Sequence, residues 1–245
     1  MEINSYIDHT NLKAFSTVED IKKLCDEAVK YHFNTVCVNP CYVGIAKEYL
    51  KDSTVNVCTV IGFPLGANTI STKEFEAIEA INNGADEIDM VINIGALKNK
   101  DYEYVKQEIE DIRDAIDGKT LKVIIETCYL DEEEIKKMTE ICNETFVSFI
   151  KTSTGFGTRG ASIEDIELIN EVKNEVLEIK ASGGIKNIHD ALKFIELGVT
   201  RIGTSNGVEI MNDSHSCECH HDCEHKCDHH ECHCGDDCEC HHEHK

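Results

Sequence analysis

Phe146-Val-Ser-Phe-Ile-Lys151-Thr-Ser-Thr-Gly-Phe156 opens as a short apolar run with a two-residue period and ends in a polar, glycine-bearing turn. On that period Val147, Phe149 and Lys151 share one face, with Ser148 and Ile150 on the other. A lysine therefore lies on an apolar face, where the strand gives way to Thr-Ser-Thr-Gly. Desolvating an ammonium costs several kcal/mol, so a lysine seldom points into a core for stability. Burial and a nearby second cation both favour the neutral amine. A neutral amine is a nucleophile that condenses with a carbonyl to a Schiff base. The plainer alternative is a lysine that snorkels out of the strand end.

Outward from this stretch, short apolar runs alternate with helical patterns. Candidate strands are 6–10, 35–39, 56–62, 87–93, 122–126, 146–152, 178–181 and 200–203. Between them, Ser16-Thr-Val-Glu19 reads as a capping box before an Ile21/Leu24/Cys25/Ala28 stripe. Ser71 opens a helix carrying Phe75, Ile78 and Ile81, closed by Asn83-Gly84. Further helices run from Tyr102 to Ile116, from Asp131, from Ser162, and from Asn187 to Leu197. Connections of two to six residues suit βα and αβ turns. Eight strand–helix units in about 210 residues predict parallel strands closed into a (β/α)8 TIM barrel, with an open doubly wound sheet as the structural rival.

Composition limits the partners. The chain has 245 residues, with 24 Lys+Arg against 47 Asp+Glu and a formal net charge of −23. A nucleic-acid binder needs a basic face, so polyphosphate backbones are excluded as partners. No run of 18 apolar residues predicts a membrane span, and the first ten residues have neither the basic region nor the apolar core of a secretory signal. These features predict a cytoplasmic protein with reduced thiols. Six of the 14 Cys are scattered through residues 1–213, whereas eight crowd into residues 214–245 with 10 of the 13 His. The segment has no aliphatic or aromatic side chain, so it lacks the material for a core. Two units are expected: a barrel over residues 1–211 and a Cys/His-rich tail over 212–245. From Asn212 on, 10 acids and 2 bases carry −8 of the charge, leaving −15 for the barrel.

In such a barrel the chemistry sits where strands end. Those ends are Asp8/Thr10, Cys37/Asn39, Gly62/Phe63, Asp89/Asn93, Glu126/Thr127, Lys151/Thr152, Lys180/Ser182 and Gly203/Ser205. Asp89, Lys151 and Lys180 stand out inside apolar strands. Lys180 follows one strand after Lys151, so the two ammonium groups are predicted neighbours, and two like charges in a low dielectric do not both ionise comfortably. Asp89 offers a carboxylate able to relay protons; a buried structural salt bridge is the alternative, though it needs only one lysine. Ser182-Gly183-Gly184 after the seventh strand and Gly203-Thr-Ser205-Asn-Gly207 after the eighth, opening a short last helix, fit the phosphate site of this architecture.

Lys151-Thr-Ser-Thr-Gly, Lys180-Ala-Ser-Gly-Gly, Ile-Asp-His-Thr10, Val-Cys37-Val-Asn-Pro40, Ile-Gly-Phe-Pro-Leu-Gly66 and Ala-Asp-Glu-Ile-Asp89-Met-Val-Ile-Asn-Ile-Gly95, all in order, resemble the deoxyribose-phosphate aldolase family from about Tyr6 to Val208. The resemblance implies reversible, metal-free cleavage of 2-deoxy-D-ribose 5-phosphate to glyceraldehyde 3-phosphate and acetaldehyde, in deoxyribonucleotide catabolism. It implies Lys151 as the Schiff-base lysine, Lys180 as the residue that tunes it and moves protons, and Asp89 as the acid/base acting through water. Asp8, Thr10, Cys37, Thr152, Gly155, Gly183, Gly184, Ser205 and Asn206 are the implied substrate-side positions. Phe156 departs from some relatives that carry a lysine near the phosphate, which implies either weaker charge neutralisation there or neutralisation by Lys186. Beyond Ile210 the usual C-terminal segment gives way to the tail.

Within that tail, Cys217, Cys219, Cys223, Cys227, Cys232, Cys234, Cys238 and Cys240, interleaved with histidines, suit Zn, Cu or Ni. The spacing is not that of a zinc finger; it resembles metallothionein-type Cys-x-Cys runs. Two alternatives are open: a related Schiff-base or phosphate-binding barrel, and a barrel that carries a metal-buffering tail. The expected partners are a phosphorylated sugar, acetaldehyde, soft metal ions and further copies of the chain in a homo-oligomer.

Overall fold

The computed structural model describes residues 2–217, and in it eight parallel strands close into one barrel. They are β1 (Ile7–Asn11), β2 (Thr35–Val38), β3 (Asn56–Ile61), β4 (Glu87–Val91), β5 (Thr120–Ile124), β6 (Phe149–Lys151), β7 (Glu178–Ser182) and β8 (Arg201–Thr204). Pairing of β1 with β8 closes the sheet and removes the open-sheet rival. Around it lie α1 (Val18–Tyr31), α2 (Val43–Tyr49), α3 (Ile70–Asn82), α4 (Ile94–Lys98), α5 (Tyr102–Ala115), α6 (Glu132–Glu144), α7 (Ile163–Val172), α8 (Ile188–Glu196) and α9 (Gly207–Cys217). No helix among the described residues is long and apolar enough to cross a membrane. The last helix continues through the expected 211/212 boundary. Beyond Cys217 the tail lies outside the described residues, as do seven of its eight cysteines.

Two helix readings are corrected. The α1 capping box is one residue later than Ser16/Glu19: Thr17 Oγ1 accepts from the Asp20 N–H and Asp20 accepts in return from Thr17 N–H. The stripe behind it is as expected, with Ile21, Leu24, Cys25 and Ala28 buried. In α3 the cap is Thr69, and the fully buried face is Lys73, Ala77 and Ala80; of the expected stripe Ile81 packs partly on the core, while Phe75 and Ile78 face outward. Phe75 is 67% exposed. What turns the helix is an ion pair: Lys73 Nζ lies 2.5 Å from Glu108 Oε1 of α5 and 2.7 Å from the Val91 carbonyl. Glu108 Oε2 accepts from the Asn93 N–H at 2.9 Å, so the pair pins the end of β4.

The strand registers stack the inward-facing residues in layers. Thr35, Glu87, Phe149 and Arg201 come from even strands; Asp8, Cys58, Lys122 and Lys180 lie above them from odd strands; Cys37, Asp89, Lys151 and Gly203 follow from even strands. Four residues per layer from alternate strands is the usual packing of this barrel, but branched aliphatics normally fill it. Here seven of these twelve positions are charged.

Candidate active site

The charged side chains form one buried network. Asp89 Oδ2 accepts from Lys151 Nζ and Lys180 Nζ, both at 2.8 Å, and Asp89 Oδ1 accepts from Lys122 Nζ at 2.9 Å. Lys122 also meets Glu87 at 2.5 Å, and Lys180 meets Asp8 at 2.6 Å. Arg201 reaches the free Oδ1 of Asp8 at 2.5 Å and shares Glu87 Oε2 with Lys122, at 2.9 Å. Counting partners separates the cations. Lys122, Lys180 and Arg201 each lie between two carboxylates, whereas Lys151 has Asp89 alone. Fully ionised, the network holds four cations against three carboxylates, one positive charge in excess.

Electrostatics follow from this geometry. Burial opposes the charge of Asp89, but Lys122, Lys151 and Lys180 outweigh it and hold its carboxyl well below the usual range. Asp8 is likewise held low against burial, by Lys180 and Arg201. Burial would discharge Lys180, yet Asp8 and Asp89 raise it above an ordinary lysine. The expected conflict between the two register-paired lysines, Lys151 and Lys180, is thus resolved by interleaved carboxylates, which favour the charged form of Lys180.

Above the network opens a cavity of about 280 Å³. Among the described network residues only Lys151 reaches its wall. Thr10, Gly155, Gly183, Gly184, Ser205 and Asn206 line it, as expected for substrate-side positions. Asp8, Cys37 and Thr152 do not: they are fully buried beneath it. Thr152 Oγ1 accepts from the Ser182 N–H at 3.2 Å, so its contact is with β7. Lys13 and Lys186 both line the cavity, with Phe156, whose ring meets Phe63 edge-on at 5.4 Å.

Loop positions are set from below. Glu126, in the left-handed region at φ 52°, turns its buried carboxylate to the Thr154 N–H and hydroxyl, fixing the loop that carries Gly155 and Phe156. Gly160 packs on the next loop so closely that a Cβ there would lie 2.0 Å from the Gly183 carbonyl oxygen. Sequence reasoning missed Lys122, Glu87, Arg201 and Cys58. All four are polar or reactive residues inside apolar strands, the signal that exposed Lys151, but they sit two to four residues before the strand ends.

Comparison with known proteins agrees with this geometry. A family model described as DeoC/LacD family aldolase matches residues 3–213. The deoxyribose-phosphate aldolase of Finegoldia magna is 56% identical over 211 residues, covering 86% of this chain and 99% of that protein. A solved aldolase named QR15 superposes with TM-score 0.85 at 41% identity, covering 89% of this chain and 97% of its own. The tetrameric deoxyribose phosphate aldolase of Aeropyrum pernix gives TM-score 0.82 at 29% identity, covering 88% and 92%. With a buried lysine open to a cavity at the strand ends of a closed barrel and these matches over nearly all of that barrel, the chain belongs to the DeoC/LacD aldolase family.

Proposed function

We propose that this protein reversibly cleaves 2-deoxy-D-ribose 5-phosphate to D-glyceraldehyde 3-phosphate and acetaldehyde through a Schiff base on Lys151. The observation that carries the assignment of the nucleophile is the partner count: Lys151 is the network cation with a single carboxylate and the one on the cavity wall. Lys151 is also the ammonium whose withdrawal from the network toward substrate breaks the fewest ion pairs.

The unprotonated Nζ adds to C1 of the open-chain sugar, and loss of water from the carbinolamine gives a protonated imine. Removal of the C3 hydroxyl proton then lets the C2–C3 electron pair flow into the imine, releasing glyceraldehyde 3-phosphate and leaving an enamine. Protonation of the enamine at C2 and hydrolysis return acetaldehyde and free Lys151. Asp89, held as a carboxylate, orients Lys151 and carries protons between it, Lys180 and water. The imine is the electron sink, so no cofactor is required. At the far end of the cavity Gly155, Gly183, Gly184, Ser205 and Asn206 would receive the phosphate, with Lys13 and Lys186 supplying the positive charge that Phe156 does not. Asp8 and Cys37 act from beneath, through the network.

Acetaldehyde release from 2-deoxyribose 5-phosphate, compared with unphosphorylated 2-deoxyribose, tests this reading. A much higher kcat/KM for the phosphate ester is expected. Equal rates on the two sugars would remove the phosphate assignment, and no release from either would remove the reaction.

A second proposal rests on sequence: the tail's eight cysteines and ten histidines bind soft metal ions. Bound-metal stoichiometry of the full chain tests it, with activity measured before and after chelation. Several ions per chain and undiminished turnover after chelation are expected. Loss of turnover on chelation would contradict metal-free chemistry. Assembly into a homo-oligomer, as in the Aeropyrum pernix relative, and a cytoplasmic location complete the reading.

A further inference from the structure

Burial normally makes a cysteine inert, and two thiols here behave so: burial pushes Cys25 up to about 12 and Cys142 higher still. Cys37 and Cys58 are as deeply buried and behave differently. They are register partners on the adjacent parallel strands β2 and β3, and both face the barrel interior. Adjacent strands lie about 4.8 Å apart, inside the Cα separation of about 4.4–6.8 Å that a disulfide spans. Their sulfurs and an oxygen of Asp89 all lie within 4.8 Å of one another. Cys58 Sγ donates to Asp89 Oδ1 at 3.1 Å and accepts from Lys122 Nζ at 3.5 Å.

The surroundings favour a thiolate over a bound metal. Four cations against three carboxylates leave a positive charge, which repels a divalent ion and attracts an anion. At Cys37 the neighbouring Cys58 sulfur and the charges of Lys180 and Lys151 overcome burial and lower the thiol, while burial above all holds Cys58 protonated. One sulfur is thus disposed to attack and its neighbour to resolve. The cavity is the nearest opening: Leu12, on its wall, packs with Phe63 on the same small cluster as both cysteines, so a small oxidant reaches the thiols when these side chains shift.

We propose that Cys37 and Cys58 form a redox site, a dithiol that a peroxide-class oxidant converts to a disulfide beneath the catalytic lysine. The Cys37 thiolate attacks one peroxide oxygen and the O–O bond breaks, giving sulfenic acid and hydroxide. The Cys58 thiol then displaces the sulfenic oxygen as water, forming the S–S bond. Two thiols and one hydrogen peroxide become one disulfide and two waters, a two-electron oxidation of sulfur. The disulfide has no S–H to give Asp89. With one donor gone, Asp89 holds its ammonium partners more tightly, Lys151 among them, and the free amine becomes scarcer. This effect on activity rests on the proposed Schiff-base reading; the chemistry of the thiol pair does not.

The full chain is treated with a slight excess of hydrogen peroxide, alkylated under denaturing conditions, digested with trypsin and mapped by mass spectrometry. The expected product is a disulfide joining the peptide of residues 31–47 to that of residues 52–73, assigned by fragmentation to Cys37 rather than Cys41. It should appear with a loss of activity of about tenfold, the equivalent of one charge-assisted hydrogen bond, that dithiothreitol reverses. Cys58→Ser and Cys37→Ser, each compared with its own untreated rate, should lose no such dithiothreitol-reversible activity. Absence of the linked peptide overturns the site, whatever happens to activity. A linked peptide with unchanged turnover overturns the coupling to Lys151 while leaving the redox chemistry. Equal, reversible inactivation of Cys58→Ser would assign the effect to other thiols.

Discussion

Lys151 differs from its three cationic neighbours by one carboxylate, and that difference divides catalysis from structure. Removing Lys151 takes one of three ammonium groups from Asp89 and leaves no carboxylate bare. Removing Lys122 deprives both Glu87 and Asp89. Lys151→Met is therefore expected to abolish turnover at little cost in stability. Lys122→Met, which weakens two carboxylates at once while Arg201 and the other two lysines still hold them, should cost more, about 1–3 kcal/mol. Urea unfolding of the two variants, with far-UV circular dichroism, checks the contrast; an equal loss of stability would contradict the partner count. The network also fixes the response to acid. Asp8 and Asp89 are both held below the ordinary carboxylate value of 3.8. A group depressed in the folded state contributes stability above its unfolded pKa, lost as pH falls through the folded one. The contribution of these two groups should be level from neutrality to about pH 4 and decline below it. Equilibrium unfolding between pH 7 and pH 2 measures this. A decline already complete at pH 5 would contradict it. The three proposed catalytic residues were legible as charges in apolar strands. Lys122, Glu87 and Arg201 carried the same signal, but only the closed barrel shows that they meet: residues 114 apart in sequence, Glu87 and Arg201, are 2.9 Å apart in space.

At the scale of elements, α3 shows where periodicity fails. Its sequence offers an apolar stripe and an amphipathic opposite face, and hydrophobicity selects the stripe. The fold buries the other face because Lys73 finds Glu108 on α5, a partner 35 residues away that no local pattern contains. Burial pushes Lys73 down and Glu108 up, so each depends on the other to be charged there. Glu108→Ala, which strands Lys73 with one backbone carbonyl, is expected to cost about 3–5 kcal/mol in chemical denaturation. Capping was more legible. Asp131 and Ser162 cap α6 and α7 through boxes with Glu134 and Asp165, and the shifts are small: one residue to Thr17 in α1 and two to Thr69 in α3. Loop contacts were not legible at all. Gly160→Ala would drive the β6–α7 loop off the Gly183 backbone, and a displacement of about 1 Å at a positioning site can cost about 100-fold in rate. We expect the loss to appear chiefly in KM for the phosphorylated sugar and far less for the unphosphorylated one.

For the whole molecule, eight alternating units were enough to name the barrel, because each short apolar run, buried on both faces, needs a crossover helix to reach the next parallel strand. All eight strands fall within three residues of their expected limits. The barrel carries a net charge of −15, yet the described cavity wall holds Lys13, Lys151 and Lys186. That contrast directs an anionic substrate to the strand ends. The tail adds charge, cysteines and histidines but no apolar material. A chain ended after Ser216, lacking all eight tail cysteines, should keep most of its aldolase activity and lose its metal stoichiometry. Loss of activity in that variant would place the tail in the enzyme's working structure.

The account turns on which lysine forms the imine. Borohydride reduction in the presence of acetaldehyde, followed by intact mass and peptide mapping, answers this in one experiment. One added ethyl group per chain, on Lys151, is the predicted result. An adduct on Lys180 or Lys122, or none at all, would contradict the assignment that the partner count and the cavity together make.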